Sequence, residues 1–156
     1  MVRYHNFDVV FAEIPDETTL AINITGCPNR CPGCHSPHLQ RDEGRPLDDA
    51  ELRALLGRYG ESVTCVCFMG GDASPHEIAR LARLVRQEQA ALRTAWYSGR
   101  ADLPEGLDVA AFDYVKLGPW VERLGPLTAP TTNQRLYRLS DDGTLHDITE
   151  RFRRRT

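Results

Sequence analysis

The chain has 156 residues, 41% hydrophobic and 26% charged, and a formal net charge of −3, a composition typical of one soluble globular domain. This small charge gives no general argument for binding nucleic acid or a membrane, and no apolar run approaches the ~18 residues of a membrane span. The first residues show no secretory signal. We therefore expect a single cytoplasmic domain over residues 1–156, with no nucleic-acid or membrane partner.

The first predicted element is a β-hairpin over residues 6–24. Residues 7–11 are rich in β-forming side chains, and Pro15-Asp16-Glu17 has the composition of a turn. Residues 18–24 then alternate between apolar and polar side chains, which predicts a second strand with one buried face. A segment rich in proline and glycine follows this strand directly.

Three cysteines lie in that segment at a C-x3-C-x2-C spacing: Cys27, Cys31 and Cys34. The total of five cysteines is odd, and in a reducing compartment three close cysteines favour metal binding over a disulfide. Three thiolates can hold three irons of a four-iron cluster and leave the fourth iron open to a ligand. The alternative is a structural zinc site, but zinc usually takes four ligands as two separated pairs, and His35 is adjacent to Cys34 and poorly placed as the fourth.

The next predicted element is a helix that starts at a capping box. Asp48 is the expected N-cap, Glu51 is spaced to bond back to it, and Gly60 can end the helix. Residues 63–68 follow as an apolar run with little alternation. That pattern is typical of a parallel strand buried on both faces.

A second helix is predicted to start at Ser74. Ser74 is the expected N-cap, Pro75 is the first helical residue, and Glu77 is expected to reach back to the cap. Two further strands and a closing hairpin are expected at residues 94–98, 112–117 and 136–148. This alternation of strands and helices predicts an α/β sheet with right-handed crossovers.

Two motifs are expected to meet at one edge of this sheet, because ligands of parallel α/β folds bind beyond the carboxyl ends of the strands. The cysteine segment follows the strand that ends near Ile24, and Gly70-Gly71-Asp72 follows the strand that ends near Phe68. If these strands are parallel neighbours, both motifs face one crevice. There the glycines let a ligand approach the backbone, and Asp72 offers an acceptor for a ligand ammonium.

The Cys27-x3-Cys31-x2-Cys34 run followed by Gly70-Gly71-Asp72 resembles the radical S-adenosylmethionine superfamily. The details Cys31-Pro32-Gly33-Cys34-His35, the Gly-Gly-Asp ending and the short length resemble one branch of it, the activating proteins of anaerobic ribonucleoside-triphosphate reductase. The resemblance extends from Tyr4 to Arg135. It departs at residues 13–18, where many relatives carry D-G-P-G-x-R, and at Gly33, where an aromatic residue is common in the wider superfamily.

The resemblance implies a single activase domain with an incomplete, open β/α barrel of the radical-S-adenosylmethionine type, with an amino-terminal and a carboxy-terminal hairpin. It implies that Cys27, Cys31 and Cys34 bind a [4Fe-4S] cluster and take part in catalysis through that cluster. It also implies that S-adenosyl-L-methionine chelates the open iron. The implied cofactor-binding residues are Gly33, Cys34, His35, Gly70, Gly71 and Asp72.

The implied activity is that of a glycyl-radical-generating oxidoreductase. A donor such as flavodoxin or ferredoxin reduces the cluster, S-adenosylmethionine is cleaved to methionine and a 5′-deoxyadenosyl radical, and that radical takes hydrogen from a glycine of the reductase. The open side of the barrel would admit a peptide loop of this large partner. One alternative is a radical enzyme acting on another glycyl radical enzyme or a small heterocycle, and another, from a different class, is a non-catalytic metal-binding interaction module.

The remaining residues of interest are expected mainly in the core. Core packing is predicted for Cys65, Cys67, Trp96 and Tyr97. Ser98 ends a strand at the expected active edge and is a candidate cofactor contact, while Lys116 is a weaker candidate. The electron donor, the glycine that is attacked, the oligomeric state and the role of the arginine-rich residues 151–155 stay open.

Overall fold

The structure, a computed structural model, describes residues 2–25, 44–119 and 121–152. Within them lie eight strands: β1 (Arg3–Val10), β2 (Thr19–Ile24), β3 (Arg45–Pro46), β4 (Cys65–Met69), β5 (Arg93–Tyr97), β6 (Tyr114–Leu117), β7 (Arg135–Leu139) and β8 (Leu145–Asp147). Two α-helices, α1 (Asp49–Tyr59) and α2 (Pro75–Glu88), precede β4 and β5. No helix of this described part is long and apolar enough to cross a membrane.

These strands form one mixed sheet in the order β3-β1-β2-β4-β5-β6-β7-β8. The central strands β2, β4, β5 and β6 are parallel, while β1, β7 and β8 extend the sheet by antiparallel pairing. The predicted hairpins and the predicted parallel strands are therefore confirmed, whereas the short edge strand β3 was not predicted. The sheet is open across the described residues, and its relation to a barrel of the radical-S-adenosylmethionine type stays a prediction.

Both helices cover one face of the sheet. The main hydrophobic core lies between them and the strands, and its fully buried members include Leu52, Ile78, Leu81, Val66, Phe68, Trp96 and Val115. Burying such a side chain contributes about 1.5–3 kcal/mol relative to leaving it exposed. The helices are amphipathic and cannot form alone, so this burial is what holds them on the sheet.

The opposite face of the sheet is covered by a connection between strands. We call residues 11–18, which join β1 to β2, the strap. Ile14 of the strap is 0% exposed and belongs to a second core cluster with Cys65, Cys67 and Leu136. The hydroxyl of Tyr97 also donates a hydrogen bond to the carbonyl of Glu13. The strap thus supplies on this face the apolar cover that the helices supply on the other.

The start of α1 agrees in part with the predicted capping box. The carboxylate of Asp48 accepts a hydrogen bond from the amide of Glu51 at 2.8 Å, as expected of the N-cap. The Glu51 carboxylate instead lies 3.4 Å from the guanidinium of Arg45. Gly60 ends the helix at φ −58, a right-handed conformation. A left-handed backbone is therefore not what this glycine supplies, and a Cβ would stand 2.4 Å from the end of the flexible Gln89 side chain, which can move aside.

The start of α2 corrects a second prediction. Pro75 is the first helical residue as predicted, and Ser74 occupies the N-cap position, but the Ser74 side chain makes no capping hydrogen bond. Glu77 does not reach back to it; its carboxylate pairs with the guanidinium of Arg80, which also pairs with Asp49 of α1 at 2.8 Å. A charged donor on a neighbouring turn competes better for Glu77 than a backbone amide does.

Candidate functional site

The Gly70-Gly71-Asp72 turn lies beside the end of β2. Strands β2 and β4 are parallel neighbours, with Asn23 opposite Met69, which confirms the condition on which the two motifs would share one edge. A Cβ added to Gly70 would stand 3.3 Å from the carbonyl oxygen of Ile24. The chain therefore passes from β2 toward the cysteine segment directly beside this turn.

The predicted cluster ligands and their neighbours, namely Cys27, Cys31, Gly33, Cys34 and His35, lie outside the described residues. Cys27 nevertheless follows Thr25 by two positions in the sequence, and two residues span at most about 7 Å of extended chain. The chain that leads to the first of the three cysteines therefore leaves the described residues at the edge that carries the Gly-Gly-Asp turn.

Both glycines of the turn are required by its backbone. Gly70 and Gly71 have φ values of +106 and +89, a region that residues with a side chain rarely adopt. A Cβ on Gly71 would also come within 2.6 Å of the Ile78 side chain in α2. The turn therefore presents backbone without side chains, a surface that suits the close approach of a cofactor.

Asp72 is buried and its carboxylate is engaged. It is 4% exposed, and it accepts hydrogen bonds from the Ser98 hydroxyl at 2.6 Å and from the Gly99 amide at 2.8 Å. Each carboxylate oxygen serves one of these donors. Three predicted site residues, Gly71, Asp72 and Ser98, thus come together, but Asp72 faces the turn after β5. Its predicted role as acceptor of a ligand ammonium stays a prediction.

Lys116 joins the same group of residues from β6. Its ammonium, on a residue 7% exposed, donates to the carbonyl oxygens of Ser98 at 3.0 Å and Gly118 at 2.9 Å. It also lies 5.7 Å from the ring centroid of Tyr97. A buried ammonium is stable only when such acceptors compensate its lost hydration. The signal in the sequence was the position of Lys116 near the carboxyl end of a predicted parallel strand.

Trp96 contributes a contact that the sequence reasoning missed. Its ring stacks on Phe112 with centroids 5.8 Å apart, as expected of a core residue. Its indole nitrogen donates to the carbonyl oxygen of Gly70 at 2.7 Å. A buried indole N–H needs an acceptor, so the residue type predicts some partner, but only the tertiary structure shows that this partner is the glycine turn.

The two cysteines of β4 have the character of core residues, as predicted. Cys65 and Cys67 are both 0% exposed. Burial is the largest cause that raises the pKa of each thiol; nearby Glu17 adds to the rise at Cys65, and Cys65 itself adds to the rise at Cys67. Because the thiolate is the form that binds metal and attacks electrophiles, both side chains are held in their unreactive form.

A comparison with protein families supports an iron–sulfur site. The family model described as a 4Fe-4S single cluster domain matches residues 18–101, which is more than half of the chain. The matched range includes the three clustered cysteines, the Gly-Gly-Asp turn and Ser98. Searches among curated proteins and among solved structures found no match. The match supports an iron–sulfur cluster, and it gives no information about S-adenosylmethionine or a reductase.

Proposed function

The chain belongs to the family of 4Fe-4S single cluster domains and is an iron–sulfur protein, and on that basis we propose that it is an activating enzyme of the radical S-adenosylmethionine type. Its cluster would cleave S-adenosylmethionine reductively and generate a glycyl radical on an anaerobic ribonucleoside-triphosphate reductase. The observation that carries the proposal is the parallel adjacency of β2 and β4. It brings the end of β2, from which the chain continues to the cysteine segment, and the Gly-Gly-Asp turn to one edge, which supports a shared site for the two halves of the resemblance.

Cys27, Cys31 and Cys34 would hold the cluster in this proposal. Three cysteines within eight positions are the donor set of a four-iron cluster that keeps one iron free of protein ligands. When bound, the cluster and S-adenosylmethionine supply the one-electron chemistry, and the protein supplies binding, orientation and exclusion of water.

The described residues are suited to orientation and to the exclusion of water. Gly70 and Gly71 present a turn that a cofactor can approach closely. Behind them Asp72, Ser98 and Lys116 are buried, and they satisfy one another and the neighbouring backbone. These three polar side chains are therefore withdrawn from the surface that the glycines present, where they would otherwise hold water beside a reactive intermediate.

The shape of the sheet favours a macromolecular substrate over a small one. Among the described residues the sheet is not closed, so the carboxyl edge can be approached from the side by a peptide segment. The strap covers the face of the sheet opposite α1 and α2, around Cys65 and Cys67. Access is therefore expected at the carboxyl edge, past Met69 and Tyr97, and not along the whole face.

A direct test combines anaerobically prepared, cluster-loaded protein with S-adenosylmethionine, a reductant and the candidate reductase. We expect 5′-deoxyadenosine by chromatography and a glycyl radical signal by electron paramagnetic resonance. Cofactor cleavage without a radical on the reductase would reject this partner but retain the superfamily. A colourless protein that holds zinc and no iron would favour the metal-binding interaction module.

The chain offers a matched pair of cysteine variants for the same assay. Cys31→Ala removes a proposed cluster ligand, so we expect it to abolish 5′-deoxyadenosine formation and the visible absorption of the cluster. Cys67→Ala removes a buried thiol that is held protonated, so cluster content and cleavage should stay close to those of the unchanged protein. Equal loss in both variants would contradict the ligand assignment.

A further inference from the structure

Two turns at the carboxyl edge brace each other through reciprocal side-chain contacts. From the turn after β4, Asp72 accepts hydrogen bonds from the Ser98 hydroxyl and the Gly99 amide of the turn after β5. From β5, Trp96 donates back to the carbonyl oxygen of Gly70 in the turn after β4. The amide of Gly70 also donates to the carbonyl of Tyr97 at 2.9 Å. The turn after β4 is thus held by groups of β5, and the turn after β5 is held by the Asp72 side chain of the turn after β4.

The burial of these side chains argues that the contacts are built into the fold. Asp72 is 4% exposed, and Ser98 and Trp96 are each 0% exposed. An ammonium that approached the Asp72 carboxylate would have to compete with a hydroxyl at 2.6 Å and an amide at 2.8 Å. Losing those bonds would leave the buried Ser98 hydroxyl and the half-buried Gly99 amide without these acceptors, which is costly.

The glycine turn needs such support because it has little of its own. Gly70 and Gly71 contribute no side chains to packing. Glycine also has wide backbone freedom, so these two residues do not by themselves hold the turn at its positive φ values. The turn must hold a cofactor in one position, because a displacement of about 1 Å can lower the reaction rate on the order of a hundredfold. Asp72 and Trp96, which fix the position of the turn, are therefore expected to affect cofactor affinity without touching the cofactor.

We propose that Asp72 and Trp96 are positioning residues for the cofactor site, and that Asp72 acts through Ser98 and Gly99 instead of accepting a hydrogen bond from the cofactor ammonium. This inference rests on the proposed function for its ligand. The contacts themselves are independent of that ligand, and they can be tested separately.

The first experiment compares two ligands by anaerobic calorimetry on the oxidised, cluster-loaded protein: S-adenosylmethionine and its analogue that lacks the amino group. A positioning role predicts that Asp72→Asn weakens both ligands by the same factor, about tenfold. A direct contact predicts that the variant weakens S-adenosylmethionine alone. The second result, or no change with either ligand, overturns the proposal.

A second variant keeps the carboxylate and removes only its partner. Ser98→Ala leaves the charge of Asp72 in place, so a direct contact with an ammonium predicts unchanged or tighter binding. A positioning role predicts a loss of about threefold for both ligands, and Asp72→Asn combined with Ser98→Ala should be little worse than Asp72→Asn alone. Additive losses would overturn the proposal, and Ser98→Ala is mild enough to serve if Asp72→Asn does not fold.

Hydrogen exchange of the backbone amides tests the contacts of Asp72 and Trp96 between the two turns, which we call the brace, without any ligand. In the cluster-loaded protein, Asp72→Asn should speed exchange in a peptide that covers residues 98–101, and Trp96→Phe, which keeps the ring but loses the N–H, should speed exchange at the turn after β4. Arg100→Ala is the matched control, because this exposed side chain lies beside the brace and takes no part in it. Unchanged exchange in both brace variants overturns the proposal.

The two proposals can fail separately. If the unchanged protein does not bind S-adenosylmethionine, the proposed function fails, and the exchange data alone decide whether the two turns brace each other. If the unchanged protein binds the cofactor but Asp72→Asn affects only the ligand with an amino group, the function stands and the positioning role is wrong.

Discussion

Two buried carboxylates lie at opposite ends of the same parallel strands. Glu17 of the strap, 6% exposed, is at the amino-terminal end, where it accepts hydrogen bonds from the hydroxyls of Thr64 at 2.6 Å and Tyr114 at 2.8 Å and pairs with Arg93 at 3.2 Å. Asp72 is at the carboxyl end and binds the turn after β5. Both carboxylates are compensated by short hydrogen bonds, as buried charges must be.

The difference lies in what each carboxylate holds. The donors to Glu17 belong to residues at the starts of β4, β5 and β6, so that cluster fastens the strap to rigid strands. Two donors to Asp72, Ser98 and Gly99, belong to a turn that borders the candidate cofactor site. The same chemistry should therefore serve stability at one end and cofactor geometry at the other, and matched amide substitutions can separate these roles.

The largest effect on stability is expected from Glu17→Gln. The amide cannot accept from all the donors that the carboxylate satisfies, so we expect the free energy of unfolding to fall by about 2 kcal/mol. Urea denaturation of equally cluster-loaded samples measures this. Affinity for S-adenosylmethionine should change less than about twofold in Glu17→Gln, whereas Asp72→Asn should weaken it about tenfold. A Glu17→Gln variant that loses cofactor affinity but not stability would break the comparison.

An effect of comparable size is expected from alkaline pH at the face of the sheet opposite α1 and α2. Burial raises the pKa of Cys65 and Cys67 in the folded protein, whereas an unfolded thiol titrates near about 8.5. Above that pH the unfolded chain has lost protons that the folded chain keeps, so the free energy of unfolding falls as pH rises, by up to about 1.4 kcal/mol per pH unit for each thiol.

The measurement is urea denaturation from about pH 7.5 to about 9.5, below the range where unfolded tyrosine titrates near about 10. The double variant Cys65→Ala with Cys67→Ala loses some packing at every pH, but its stability should fall less steeply across this range. Parallel slopes in the variant and the unchanged protein would mean that the buried thiols are not the groups responsible.

The smallest effect on stability is expected from Arg93→Gln. This variant tests which of the three partners of Glu17 contributes most to the stability. The Arg93 side chain is 52% exposed, so its ion pair is screened by water, and its loss should cost less than about 1 kcal/mol. The hydroxyls of Thr64 and Tyr114 should carry most of the stabilisation. A loss as large as that of Glu17→Gln would instead make the ion pair the main contact.

Features set by near neighbours in the chain were predicted well. The N-cap bond of Asp48 to the Glu51 amide spans three residues, and the apolar run of β4 follows from burial on both faces, so local sequence is enough for both. Glu77 was assigned wrongly because Arg80, three positions on in the same helix, offers a charged donor that the capping pattern does not consider. That Arg80 also pairs with Asp49 of α1 is a contact between helices, which no local pattern indicates.

The candidate site divides in the same way. Gly70, Gly71, Asp72 and Ser98 were expected at one edge, and the structure brings them together. The direction in which Asp72 points was not predictable, because its partner Gly99 is 27 positions away, and Trp96 reaches Gly70 across 26 positions. Lys116 was a weak candidate because its acceptor, the Ser98 carbonyl, is 18 positions away in the chain.

The sequence by itself predicted the donor chemistry, because three close cysteines that stay reduced can share one metal or cluster, and the family match agrees with an iron–sulfur site. It also determined where a turn free of side chains must lie, because Gly70 and Gly71 are the residues that adopt its backbone. Only the tertiary structure decided that this turn adjoins β2 and is braced by β5. Those contacts depend on strand pairing between distant segments, and hydrogen bonds across a sheet leave no periodic signal in any one segment.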